Sequence, residues 1–250
     1  MRKRFLACVA GLMMAGLMVA QPKAKSQKEL DAFLAIQQAT TVDARIAAAD
    51  KFVTSFADSQ LKGMALTMAA QAAEQKNDAA KAITYAETAL EADPKNYQAM
   101  LVVSGELAKG TRENDLDKEE KLAKSEKMSN DAVAAIEGAT KPNATITDEQ
   151  WATYKKDLVS QVHENLGLAA LARKKYDVAV AEFKKSVDGA ATPDPATWVR
   201  LASAYDLGGK PDDGIAVLDK VLAMPNLNPV IKQYATAEKA RAEKAKNDKK

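Results

Sequence analysis

A spacing that recurs along the chain constrains its fold more than any single motif does. In "TWVRLASAYDLGGKPDDGIAVLDKVL", Trp198 is followed by Leu201-Ala202, Tyr205, Gly209, Gly214, Leu218 and Val221. At an offset of 35 residues stand His163, Leu166-Gly167, Ala170, Ala179, Phe183 and Ser186. Further back, Leu66, Ala69-Ala70, Ala73, Ala82, Ala86, Ala89 and Pro94 keep the same mutual spacings. Another 34 residues earlier, Ala48, Phe52 and Ser55 match Ala82, Ala86 and Ala89. A chain that repeats itself at this period builds a stack of small units, each covering the apolar face that its neighbour leaves bare.

The residue types make each unit a pair of helices. Small residues at the eighth and twentieth repeat positions let two antiparallel helices approach closely, and large apolar ones at the seventh and twenty-fourth fill the space beside them. Proline near the end of a unit stops its second helix. The composition agrees: with 11 glycines and 8 prolines in 250 residues, few breakers interrupt a chain rich in Ala, Leu, Lys and Glu, all strong helix formers. An Ala-rich helix of about 14 residues is marginal alone, so stability has to come from stacking.

"WVRLASAY", "AVAEFKKS" and "ALEADPKN" together resemble the tetratricopeptide (TPR) repeat. That family has Trp-x2-Leu-Gly-x2-Tyr followed by Ala, Phe, Ala and Pro in a helix–turn–helix of about 34 residues. The resemblance covers most of residues 29–228 and implies an all-α fold, a right-handed TPR superhelix. We read about five helix–turn–helix repeats, at 29–62, 63–96, 97–140, 160–193 and 195–228, the third of them extended. Segments 25–140 and 141–228 form the two halves, and 229–250 is a capping helix with a basic tail.

The third repeat departs from the pattern. "TRENDLDKEEKLAKSEKMSNDAVAAIEG" is too long for a turn and a second helix, which places an insertion near 111–118. Asn114 is expected to cap a helix that runs to about Ile136. Beyond the loop "TKPNATIT", Thr147 and Gln150 have the spacing of a capping box. The helix they open meets no Gly or Pro before His163 and is expected to reach about Lys174. Trp151, Tyr154, Leu158 and Val162 form a stripe along it. In the closing helix after Pro229, Ile231, Tyr234 and Ala235 are expected to give the apolar face.

The first twenty residues differ in kind. "MRKR" precedes sixteen residues without a charge, "FLACVAGLMMAGLMVA". A basic start, a short apolar stretch and small residues at its end mark a signal peptide; the stretch falls short of the ~20 residues of a spanning helix. Residues 1–24 are therefore expected to direct export, with cleavage near Ala20 or Ala24. The protein is then periplasmic or extracellular, of the exported bacterial type, without stable membrane insertion. Cleavage also removes the one cysteine, Cys8, and with Arg2, Lys3 and Arg4 takes the formal charge from +2 to −1. No nucleic-acid binding follows from such a balance.

Catalysis has little to draw on. His163 is the single histidine, and it occupies a packing position of the repeat. One histidine without a mature cysteine is a poor start for a zinc site. "DLDKEEK" is a mixed-charge run of the kind that forms a solvated helix face. We expect no enzyme, no cofactor, no catalytic residue and no metal ligand.

The TPR resemblance implies binding of a protein or peptide partner instead. In that family the second, fifth, sixth, ninth and twelfth positions of each first helix line a groove. Here those positions include Met64, Met68, Gln71, Leu101, Glu164, Leu168 and Arg200. The Lys and Asn clamp that chaperone-binding members use for a chain terminus is not present at these positions. The groove implied is apolar, with methionines that adapt to different shapes and Arg200 as an isolated cation. The function expected is a scaffold for protein–protein interaction in the cell envelope. The alternative is an assembly subunit that makes contact through its inserted helix.

Overall fold

The computed structural model describes residues 23–247. The expected signal segment therefore lies outside the described residues except for Lys23 and Ala24, as do the last three residues of the basic tail. Eleven helices and no strand occur among the described residues: α1 Gln27–Gln38, α2 Val42–Ser55, α3 Lys62–Gln75, α4 Ala79–Ala92, α5 Tyr97–Gly110, α6 Lys118–Gly138, α7 Asp148–Ala172, α8 Tyr176–Gly189, α9 Pro195–Leu207, α10 Pro211–Leu222 and α11 Pro229–Asn247. None of them is long and apolar enough to cross a membrane. The fold is all-α, an α-solenoid of consecutive helix pairs.

The chain divides into two compact units. The first runs up to Thr111 and includes Asp117–Ala152; the second comprises Arg112–Leu116 and everything from Thr153 onward. In the first unit α1 packs on α2, α3 on α4 and α5 on α6, and each pair also touches the next. Its core has two parts. Phe33, Ile36, Phe52, Leu61, Ala65 and Ala69 form one; Leu66, Ala70, Ala82, Ala86, Val103 and Leu107 belong to the other. In the second unit α9 packs on α8 and α10, and α11 closes over α10 and α9. Phe183, Leu201, Ala202, Leu218 and Val221 form its centre.

Local chemistry sets the helix starts. Ser26, Thr41, Asp78, Asn96 and Asp194 cap five helices by accepting hydrogen bonds from backbone N–H groups two or three residues on. Those donors would otherwise have no partner in the first turn. The capping box at α7 is complete: Gln150 N donates to Thr147 Oγ1 at 3.1 Å, and Thr147 N donates to Gln150 Oε1 at 3.0 Å.

The turn inside three of the helix pairs is equally regular. Asn77, Lys174 and Gly209 occupy the same repeat position and adopt left-handed backbone, with φ of 59°, 59° and 80°. The following N–H reaches back to the last turn of the first helix in each case: Asp78 to Ala73 O at 3.0 Å, Lys175 to Ala170 O at 2.9 Å, and Lys210 to Tyr205 O at 2.9 Å. This is the Schellman ending of a helix. The corresponding residue of the third repeat, Thr111, has φ −76°. Without the left-handed residue the chain does not fold back at once, and a loop over 111–117 follows.

That loop corrects one expectation. Asn114 does not cap α6, which begins at Lys118 with Asp117 at the cap position and no side-chain capping bond. Asn114 belongs to a turn instead, closed by Asp115 N to Arg112 O at 3.2 Å and Arg112 N to Asp115 Oδ2 at 3.1 Å. A second correction concerns α11. Ala235 and Ala242 are buried and Ile231 packs on the core, but Tyr234 is 66% exposed.

The expected close approach at Gly167 is present. A Cβ placed there would lie 2.7 Å from the Phe183 ring, well inside van der Waals contact. Phe183 is fully buried, so the ring has no room to move away.

Candidate functional site

The first helices of each unit carry a set of the residues that the repeat pattern marks for binding. In the first unit, α3 carries Met64, Met68 and Gln71 at helical spacing, all half-buried. Met64 and Met68 pack against the core that contains Phe33, Phe52 and Leu61 while keeping part of their surface open. Beside them Thr67 is buried; it donates to Gly63 O at 2.8 Å and accepts from Asn96 Nδ2 at 2.8 Å. Leu101 is different. It is 3% exposed and lies in a run, residues 99–108, that is buried throughout.

The end of this face is ionic. Lys109 Nζ bonds Glu74 and Glu106, each at 2.9 Å. Burial pulls the Lys109 ammonium pKa down, but the two carboxylates outweigh it and hold the pKa above the ordinary lysine value. The residue therefore stays charged and joins α3 to α5.

In the second unit, α7 carries Glu164 and Leu168 and α9 carries Arg200. Leu168 is half-buried and packs against the core with Leu171 and Val199. The Arg200 guanidinium donates to the Glu164 carboxylate across the two helices. Arg200 is thus not the isolated cation that the sequence suggested. The pair spans 36 residues, one repeat plus one position, so opposite charges at that separation were the signal that could have disclosed it.

The ionic ladder continues into α11. Arg241 donates through Nε to Asp206 Oδ2 at 3.0 Å and through Nη2 to Ser203 Oγ at 3.2 Å, and also to Glu238. Asp206 and Arg241 are one repeat period apart. The same shift carries Val199 onto Tyr234. Extending the register past the fifth repeat therefore identifies Tyr234, with Val230 one turn before it, as further exposed apolar residues of this face.

His163 points elsewhere. Its Nδ1 lies 2.7 Å from Glu182 Oε2 on α8, and Lys185 Nζ reaches the other oxygen at 2.7 Å. Burial pushes the Glu182 carboxyl up, but the hydrogen bonds from Lys185 and His163 prevail and keep it below the usual carboxylate value. The arrangement fastens α8 to α7. It contains no nucleophile, and no group of three potential metal ligands occurs among the described residues.

Residues 65–96 match the tetratricopeptide repeat family. Among solved structures, the chain is similar to a thermophilic TPR protein of Thermus thermophilus, with 15% identity, a TM-score of 0.56, and coverage of 85% of this chain and 95% of that one. It is also similar to an assembly chaperone of RpL4, with 12% identity, coverage of 89% and 98%, and a TM-score of 0.44, which is too low to carry an argument. No curated protein matches the chain by sequence.

Proposed function

From the premise that this chain is a tetratricopeptide-repeat protein, a fold that serves as a scaffold for protein interaction, we propose that it binds a partner segment on the first-helix faces. We place that activity in the cell envelope after export. The observation that supports this reading best is the half-open apolar surface on these helices. In the first unit it is offered by Met64 and Met68; in the second, by Leu168, with Val230 and Tyr234 on α11. Apolar side chains with part of their surface in water gain on being covered, at about 25 cal/mol per Å². Methionine adapts to the shape of what covers it. Gln71 and the Glu164–Arg200 pair supply polar contacts beside the apolar ones.

The test is a pull-down from envelope extract, followed by titration of the recovered partner. Met68→Asp combined with Leu168→Asp is expected to abolish binding, because each places an unpaired carboxylate against an apolar partner. Leu101 is the wrong residue to alter for this purpose: it is buried, and its replacement by Asp would damage the core itself. Undiminished binding by a folded double variant would refute the reading. For export, mass analysis of the mature chain is expected to find the leader removed, and an intact Met1 would refute it.

A second reading has one observation in its favour. Leu116, in the inserted loop, is fully exposed, and an assembly subunit could use it as an anchor. Leu116→Asp would then abolish partner binding while Met68→Asp left it intact.

A further inference from the structure

In the second unit the second helices α8 and α10 flank a cavity of about 280 Å³ whose floor is α9. Trp198 and Tyr205 form the aromatic floor, and Lys184 and Asp188 of α8 face Asp213 and Lys220 of α10 across it.

The corresponding place in the first unit is filled. The repeat register maps Lys184, Val187 and Val217 onto Val53, Phe56 and Tyr85. All three of the latter pack onto the first unit's core. The cavity in the second unit is therefore not a general property of the repeat. It exists because these wall positions carry shorter or charged side chains.

The charges add a direction. Shifted by one repeat, Lys220 falls level with residue 185, beside Lys184, while Asp213 falls level with residue 178 and Asp188 lies one turn beyond the lysines. The two ammonium groups thus hold the middle of the cleft and the two carboxylates its ends. Among the described residues neither Lys184 nor Lys220 has an ion-pair partner, whereas the nearby Lys185 and Lys210 are paired with Glu182 and Asp177.

The geometry points to a second binding site here, for a protein segment that presents an aromatic side chain next to one carboxylate. The volume lies just below the roughly 300 Å³ at which cavities begin to enclose whole ligands, so it suits one large side chain. The aromatic ring stacks on Trp198 and Tyr205, and the neighbouring Asp or Glu lies between Lys184 and Lys220. Asp188 and Asp213 select against an acidic run, because further carboxylates would meet them at either end.

The test uses Trp198 as its own reporter, in full-length protein carrying Trp151→Phe. Fluorescence is followed on titration with acetyl-Gly-Glu-Phe-Gly-amide. Saturable binding is expected, roughly tenfold weaker for the Lys-Phe counterpart, as the loss of two partly exposed ion pairs implies. The Glu-Ala counterpart is expected not to saturate. Lys184→Ala with Lys220→Ala should weaken the Glu-Phe peptide by a similar factor. Ala216→Phe, which fills the cavity from an exposed position, should abolish binding with the fold intact. Equal binding of the Glu and Lys peptides, or undiminished binding by either variant, overturns the assignment. Tighter binding of 3-phenylpropanoate than of the peptide overturns it as well, in favour of a free aromatic acid. These outcomes are independent of the pull-down, which probes the first-helix faces.

Discussion

In α3 the residues at the fourth, seventh and eleventh repeat positions are Leu66, Ala69 and Ala73; in α9 they are Trp198, Leu201 and Tyr205. The neighbouring second helices compensate in the first case. Phe56, just past the end of α2, and Tyr85 of α4 pack onto the core that holds this small floor, the Phe52 and Phe56 ring centroids lie 5.3 Å apart, and the space is filled. In the second case the bulk is on the floor and the walls are lysine, valine and alanine, so a cavity remains. The same trade appears at the contact inside a pair. Ala70 faces the Ala86 position in the first unit, and Gly167 faces Phe183 in the second. The repeat keeps a spacing and leaves open which side of each contact is large. Two units of one pattern can therefore differ in what they leave available to a ligand.

The contact at Gly167 gives the largest expected effect. Gly167→Leu drives a side chain into a fully buried ring and should destabilise the protein by about 3 kcal/mol. Lys184→Ala, on the exposed surface of α8, should change stability by less than about 0.5 kcal/mol. Denaturant unfolding compares the two, and equal losses would mean that the register is wrong.

The converse change tests whether the first unit follows the same rule. Ala86→Phe should destabilise by about 2 kcal/mol, because a ring is forced against Ala70 in a filled core. Adding Ala70→Gly recreates the Gly–Phe contact of the second unit and should recover part of the loss. The recovery, read as a coupling energy in a double-mutant cycle, is expected to be about 1 kcal/mol. Strict additivity would break the correspondence.

A smaller effect separates the two kinds of wall. Tyr85 donates a hydrogen bond to Asp50 at 2.9 Å. Burial, with the Asp50 carboxylate beside it, pushes the Tyr85 hydroxyl up to about 12. A pKa raised in the folded state stabilises fully below the unfolded value of about 10 and is lost as pH rises through the folded one. Tyr85→Phe should therefore cost about 0.5–1 kcal/mol at neutral pH, after allowance for partial exposure. The gap to wild type should close between about pH 10 and 12, a window that thermal melts in alkaline buffer can follow.

The fold was legible where spacing alone decides it. The Gly167–Phe183 contact, the Thr147–Gln150 box and the ends of α7 all follow from local residue types at fixed intervals. Asn114 misled because capping preference says which residues can start a helix, not where the chain turns. That depended on Thr111 being extended at the position where Asn77 and Gly209 are left-handed. Of the candidate site, the pattern gave the face and not the burial. Leu101 is covered because the whole run around it is buried, and no periodicity within α5 announces that. The Glu164–Arg200 pair and the Trp198 cleft each need two repeats to be compared side by side.

The smallest effect tests the turn that the second, fourth and fifth repeats share. Left-handed backbone costs a residue with a Cβ on the order of 1 kcal/mol, and asparagine tolerates it better than lysine. Asn77 in the first unit is thus the better fit, and Lys174 in the second is strained in the same conformation. Lys174 gains a partner there, since its Nζ lies 3.0 Å from Glu113 of the inserted loop. Both side chains are more than half exposed, and bridges of that kind contribute little. Backbone relief should then prevail. Lys174→Asn is expected to raise Tm by roughly 1–2 °C, equivalent to about 0.5 kcal/mol, and Asn77→Lys to lower it by a similar amount. If Lys174→Asn lowers Tm instead, and the loss disappears in a Glu113→Gln background, the bridge to the insert outweighs the strain. The second unit would then be using a poor turn residue to hold its inserted loop in place.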